Sequence, residues 1–207
     1  MKNTIIYLLG HYAVGKLTIG QTITSQTDAR LFDNHLANNI VFSLIGADGK
    51  MPLPDRVWDM IDSIRNQAFQ AIEELTPREV SFVLTNCLLE TDPGDRASYE
   101  KVEQLATRRG SVFAPVLLTA SDGAHATRIN SLERRERFKM TEAALAEEKR
   151  RITKLLHVDH PHRLDLDTTE LSPLDATLKI IAHARRSERS VAVAGQEVSV
   201  IGSRGTA

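Results

Sequence analysis

The residues with the most specific chemistry lie near the N-terminus, where Gly10-His11-Tyr12-Ala13-Val14-Gly15-Lys16-Leu17-Thr18 follows the spacing G-x-x-x-x-G-K. A loop of this kind wraps its backbone around a polyphosphate. Glycines are needed where a side chain would collide with the anion or where φ is positive. Successive N–H groups then converge on the phosphates, and a helix that starts at the lysine adds the positive end of its dipole. Lys16 would bridge the β- and γ-phosphates of a nucleoside triphosphate; Gly10, Tyr12, Ala13, Val14, Gly15, Leu17 and Thr18 are the other candidate contacts. The alternative is an ordinary glycine turn. Context argues against it, because an apolar β-branched run precedes the loop and a helical run follows it. One position departs from the usual pattern: Leu17 stands where a Ser or Thr hydroxyl normally ligates Mg2+. Thr18, one position on, is rotated by ~100° around a helix. It is a weak metal candidate, and Asp33, acting through water, is the other. The departure also keeps open a nucleotide-binding role with little turnover.

Asp33 follows the loop by about fifteen residues. Its carboxylate could accept the proton of an acceptor hydroxyl and orient a metal-bound water, or it could cap the helix beginning near His35. Asn34 and His35 beside it are candidate substrate contacts, although a histidine at a helix start is also a common structural residue. After Val83-Leu84, where a second metal-binding acid would be expected, Thr85-Asn86 follow, and Glu90 and Asp92 come only later. Between Arg128 and Lys154, nine basic residues stand against five glutamates. Phosphoryl transfer spreads negative charge over equatorial oxygens, so arginines that arrive on closure stabilise it and exclude water. Arg134 and Arg135 are the candidates, with a solvated helix face as the alternative. His157-Val158-Asp159-His160-Pro161-His162 has a metal-like composition. Pro161 marks it instead as a loop feeding a strand, without a second ligand group. Cys87 reads as a structural thiol in an apolar strand.

These groups need elements to hold them. Thr4 to Leu9 is apolar on both faces, as a buried parallel strand is. Lys16 to Thr27 reads as a helix and Arg30 to Phe32 as a second strand. Leu36, Ile40, Val41 and Leu44 are spaced to bury one face of the next helix. Gly46 to Pro54 is a loop, Asp55 to Leu75 a long amphipathic helix, and Val80 to Leu84 a third strand. Asp95 to Arg108 is helical and Val112 to Leu118 a fourth strand, with Pro115 unusual at its centre. Ala124 to Leu132 and Glu142 to Leu156 follow as helices, Arg163 to Leu166 as a fifth strand, and Leu174 to Arg185 as a closing helix that Ser172-Pro173 start well. Alternating strands and helices imply right-handed βαβ units and ligands beyond the carboxyl ends of a parallel sheet. After Arg186 the pattern changes to a short hairpin around Gly195-Gln196 or a loose tail. The expected division is therefore 1–186 and 187–207.

Together these segments resemble the P-loop kinases of the shikimate kinase, gluconate kinase and adenylate kinase group, and most closely shikimate-kinase-like ATP-binding proteins. The likeness rests on Gly10 to Thr18, Leu31-Phe32-Asp33-Asn34-His35, the arginine-rich Arg128 to Thr141 and Asp167 to Pro173, within about residues 1 to 186. It implies a three-layer αβα P-loop NTPase fold with a parallel five-stranded sheet and a helical lid. It also implies ATP and Mg2+ as cofactors, Asp33 near the acceptor hydroxyl, Arg128 near the adenine, and the Asp167-Thr168-Thr169 backbone framing that base.

The chain of 207 residues is long enough for one large domain with its own core. At 42% hydrophobic and 26% charged residues it is of ordinary globular composition, which excludes a disordered or fibrous chain. A net charge of −1 argues against bulk electrostatic binding of nucleic acid, and 5% aromatics supply few base-stacking platforms. The apolar run Ile5 to Leu9 is shorter than the roughly 7–15 residues of a signal-peptide core, and no stretch approaches the roughly 20 residues of a membrane span. A cytoplasmic location, as monomer or homodimer, is the expectation. The expected function is transfer of the γ-phosphoryl of ATP to a hydroxyl or phosphate acceptor, a small molecule in the first instance. A nucleotide or polynucleotide-end kinase and an ATP-binding module with little turnover are the alternatives.

Overall fold

β1 (Thr4–Leu9) is buried along its whole length, and its alternation divides the interior into two layers. The structure, a computed structural model, describes residues 1–47, 53–129, 148 and 150–202, with 194–202 described in backbone only. Ile5, Tyr7 and Leu9 pack with Ile72, Val102 and Leu105 on one face, against helices α3 (Asp55–Glu74) and α4 (Pro93–Arg109). Ile6 and Leu8 pack with Ile19, Ile23 and Ile180 on the other, against α1 (Lys16–Gln26) and α6 (Pro173–Gly202). Each fully buried Ile or Leu contributes roughly 1.5–3 kcal/mol, so the central strand anchors both layers.

Four further strands join β1: β2 (Arg30–Phe32), β3 (Phe82–Asn86), β4 (Val112–Thr119) and β5 (Leu164–Asp167). All pair in parallel, in the order β2-β3-β1-β4-β5. The chain adds two strands to one side of β1 and then crosses to the other, so a crevice opens at the carboxyl ends near β1. The five-stranded parallel sheet with helices on both faces is as expected. Pro115 sits inside β4, yet β5 pairs with β4 only from Val116 onward, so the proline precedes that ladder. Gly20, interior to α1, is there for closeness: an added Cβ would lie 2.8 Å from Leu31 Cδ1.

Several expectations need correction. In α2 (Asn34–Ile45) the buried residues are Ala37, Asn38, Val41 and Phe42, whereas Leu36, Ile40 and Leu44 are exposed. The helix is apolar on two sides. Phe42 meeting the Trp58 ring edge-on, and Asn38 accepting a 2.9 Å hydrogen bond from Arg65, decide which side turns inward. Met60 of α3 is likewise about half exposed. The helix expected to reach Leu156 stops earlier, since Leu155 bridges Leu89 in antiparallel fashion and Leu156 N–H donates to Leu88 O. Residues 187–202, expected as a hairpin or tail, continue α6. Glu188 Oε1 accepts from Lys2 N–H (3.1 Å) and Thr4 Oγ1 (2.6 Å), which holds this extension on the domain. The start of α6 is as read: Ser172 Oγ accepts from Asp175 N–H. α5 (Asp122–Ile129) ends at the last described residue before 130. The expected lid, with Arg134 and Arg135, lies outside the described residues.

Candidate active site

The loop between β1 and α1 is shaped by its glycines. Gly10 has φ 154°, and a Cβ there would lie 2.5 Å from Leu118 O and 2.9 Å from Val14 Cγ2. Gly15, at φ 96°, precedes α1 with no side-chain cap on the helix, so the first N–H groups of α1 open onto the loop. Ala13 adopts φ 61° despite its Cβ, a conformation that needs support from its surroundings. That support comes from Ile129 of α5 and Tyr12, which pack on it, and from Val14 O, which accepts a hydrogen bond from Thr168 Oγ1 (3.1 Å). Lys16 Nζ folds back over the loop, donating to Gly10 O (2.6 Å) and His11 O (2.7 Å). Leu17 is half-buried and Thr18 exposed on the first turn of α1.

Asp33 occupies the N-cap position of α2, but its side chain makes no capping hydrogen bond. It is 6% exposed, and Oδ1 accepts from Thr85 Oγ1 at 2.6 Å. Thr85 Oγ1 also accepts from Asn34 N–H at 3.1 Å. Thr85 lies opposite Leu8 of β1, two residues before the loop begins. The capping alternative therefore gives way to a carboxylate fixed between two strand ends. His35 Nδ1 lies 3.3 Å from Asn39 Oδ1 within α2.

Beyond these strand ends is a narrow, partly open cleft. Tyr7, Phe32 and Phe69 form apolar walls, and Asn34, Asn86, Ser98, Asp62, Arg65 and Lys101 supply polar groups. Lys101 Nζ pairs with Asp62 Oδ2 at 2.5 Å. Arg65 Nε is buried without a hydrogen-bond partner among the described residues, and burial lowers this guanidinium's pKa. Burial also pushes Asp95, near Arg65, up to about 6 against the hydrogen bond from Leu89 N–H. Of the residues that line this cleft, the sequence offered Asn34 alone as a substrate contact. The cleft's one further signal was Arg65, a cation four residues after Ile61 on the buried side of α3.

On the opposite rim, Arg128 of α5 donates to Thr168 Oγ1 (3.2 Å), Thr168 O (2.8 Å) and Thr169 O (3.3 Å). It braces the turn after β5 against the loop. Arg150 forms an ion pair with Asp122 at the start of α5. His11 and His125 stand beside these cations. Burial first, and then Lys16 for His11 and Arg150 for His125, push both rings down to about 4. Neither histidine was singled out from the sequence. Among the described residues no group of three His, Cys, Asp or Glu could hold a metal ion. His160 and His162 serve packing: His160 meets Phe113 edge-on, and its Nδ1 accepts from His162 N–H. Cys87 is half-buried beside the site, and its thiol is pushed up by burial. No helix among the described residues is long and apolar enough to cross a membrane.

No family model matches the chain, and no curated protein matches it in sequence. Its architecture is found in solved structures. A gluconokinase from Sinorhizobium meliloti superposes with a TM-score of 0.57 at 15% identity, covering 92% of this chain and 97% of that one. A sugar kinase from Janibacter gives 0.53 at 16%, covering 89% and 97%. Thymidylate kinase from Candida albicans gives 0.53 at 12%, covering 90% and 93%. At such identities the common property is the fold, that of the P-loop kinases.

Proposed function

We propose that the protein is an ATP-dependent phosphotransferase that moves the γ-phosphoryl group to a hydroxyl or phosphate of a small-molecule acceptor. One observation carries the proposal: the glycine loop with Lys16, the buried Asp33 and the polar cleft beside Asn34 all gather at the carboxyl ends of β1, β2 and β3. The loop would take the phosphates, Lys16 leaving Gly10 O and His11 O for the transferring group. Asp33, held by Thr85, would accept the proton of an acceptor hydroxyl. Aromatic walls facing amide, hydroxyl and charged groups suit a compact polar acceptor, and a fold shared with a gluconokinase and a sugar kinase agrees with that.

The loop fits a polyphosphate because no side chain caps α1, so its first N–H groups open onto the loop beside Lys16. Mg2+ would neutralise developing charge on the phosphates. With Thr18 on an exposed turn, Asp33 is the residue to help hold it, through water. Arg128 would support the nucleotide side through the Thr168-Thr169 turn. Asn34 and His35 are proposed on the acceptor side, with Arg134 and Arg135 as the groups that engage the transferring phosphoryl. Leu17, half-buried after the lysine, favours a second reading, an ATP-binding module with little turnover.

γ-Labelled ATP with Mg2+, offered with sugars, hydroxy acids, nucleosides, nucleoside monophosphates and oligonucleotide ends, separates these readings. Label on a small acceptor supports the proposal. ATP binding without transfer to any class supports the module. Lys16→Ala should weaken ATP binding by a few kcal/mol, since a charge-assisted contact is lost, and equal affinity by calorimetry would remove the loop assignment.

A further inference from the structure

Two basic groups at the loop lie outside the G-x-x-x-x-G-K pattern. His11 is the first residue after Gly10, and Lys16 Nζ bonds its carbonyl at 2.7 Å. His125 lies on α5 one helical turn before Ile129, the residue that packs on Ala13, and its ring hydrogen-bonds the Tyr12 backbone. The loop thus has one histidine within it and another leaning on it from α5. Among the described residues the charged groups acting on these rings are cations: Lys16 from α1, Arg128 from α5, and Arg150, whose partner is Asp122. A polyphosphate entering this partly buried site would meet Lys16, Arg128 and the two imidazoles around open backbone N–H groups, with Arg150 already paired to Asp122.

We propose that His11 and His125 are additional phosphate-binding groups of this loop, taking up protons and joining Lys16 when a polyphosphate binds; this rests on the nucleotide reading above. In the free protein both rings are neutral at physiological pH, being held down to about 4. A phosphate beside them reverses the sign of the local field and favours the imidazolium. The proton comes from solvent. Because binding then raises each ring's pKa, affinity climbs as pH falls through the bound-state value. The climb ends near pH 4, where the free protein is protonated too. The cluster would therefore add charge only in the presence of the ligand, which spares the free protein further repulsion among its cations.

The test is calorimetry of Mg-ADP binding at pH 7 in PIPES, HEPES and Tris, whose ionisation enthalpies differ, with wild type, His11→Gln, His125→Gln and the double variant. The nucleotide's own protonation is common to all four and cancels. Wild type should take up more protons than the double variant, and between pH 8 and 6 its affinity should rise ~3–10-fold relative to that variant. Imidazole nitrogen signals of the wild-type protein, followed while tripolyphosphate is added, give the same information without a substitution; two rings should move to the protonated form. Nucleotide binding with no excess proton uptake and with both rings still neutral would overturn this proposal alone. Absence of any nucleotide or tripolyphosphate binding would overturn it together with the nucleotide reading.

Discussion

Among single residues the proposed transfer rests most on Asp33, and what distinguishes that residue is its partner. A carboxylate 6% exposed is held by the Thr85 hydroxyl at 2.6 Å, so its orientation is set by β3 as much as by β2. Asp33→Asn should keep ADP affinity within a few-fold while lowering phosphoryl transfer by at least ~100-fold, the scale of general-base catalysis. Steady-state kinetics with the acceptor found in the screen decides this, and unchanged turnover would leave the residue a structural role. Gly10→Ala should cost roughly 1–3 kcal/mol of stability, through its positive φ and the collision with Leu118 O; urea unfolding measures it. Lys16 and Asp33 were legible in the sequence because a loop spacing and a strand end announce them. Arg65 was not, since a long cation on an amphipathic helix looks like a snorkelling surface residue until a cleft is seen around it.

At the scale of elements, the seam between α3 and α4 is held by a buried cation. Arg109 is 1% exposed. Its guanidinium donates to Ile72 O, Thr76 Oγ1, Pro77 O and Val80 O around the end of α3 and lies 5.3 Å from the Phe82 ring centroid. Of these acceptors Ile72 O is a carbonyl that the end of α3 leaves without an intrahelical donor, and the others belong to the turn that leads on to β3. Arg109→Met should destabilise the protein by about 2–4 kcal/mol, as several buried acceptors lose their donor together, with an unchanged urea m-value. Arg109→Lys should recover only part of this, because an ammonium cannot span the same set. Element types were readable from periodicity nearly throughout, but not which face of α2 is buried. Leu36, Ile40 and Leu44 form as good a stripe as Ala37, Val41 and Phe42, and only Trp58 and Arg65, far along the chain, break the tie.

At the scale of the molecule, burial of histidines sets the response to acid. His11 and His125 are held near 4 and His160 and His162 below the ordinary 6.5. Below about pH 6.5 the unfolded chain therefore binds more protons than the folded one, and stability falls as pH drops toward 4. Asp95, raised to about 6, acts in the opposite sense and offsets part of the loss. The urea midpoint should be lower at pH 5 than at pH 7, and His125→Gln should flatten that difference; a midpoint independent of pH would contradict the burial of these rings. The parallel sheet was legible in the alternation of apolar runs with amphipathic ones. The continuation of α6 was not, because alternating Val and Ala satisfy a hairpin as well as a helix, and the contact that holds it is remote. That contact, Glu188 on Thr4 and Lys2, joins residues 184 and 186 apart. On the ribosome β1 must wait for α6, which is made long after it, before these contacts can form. Nascent chains stalled before residue 188 should remain open to protease, and a tag fused ahead of Lys2 would press on the same joint.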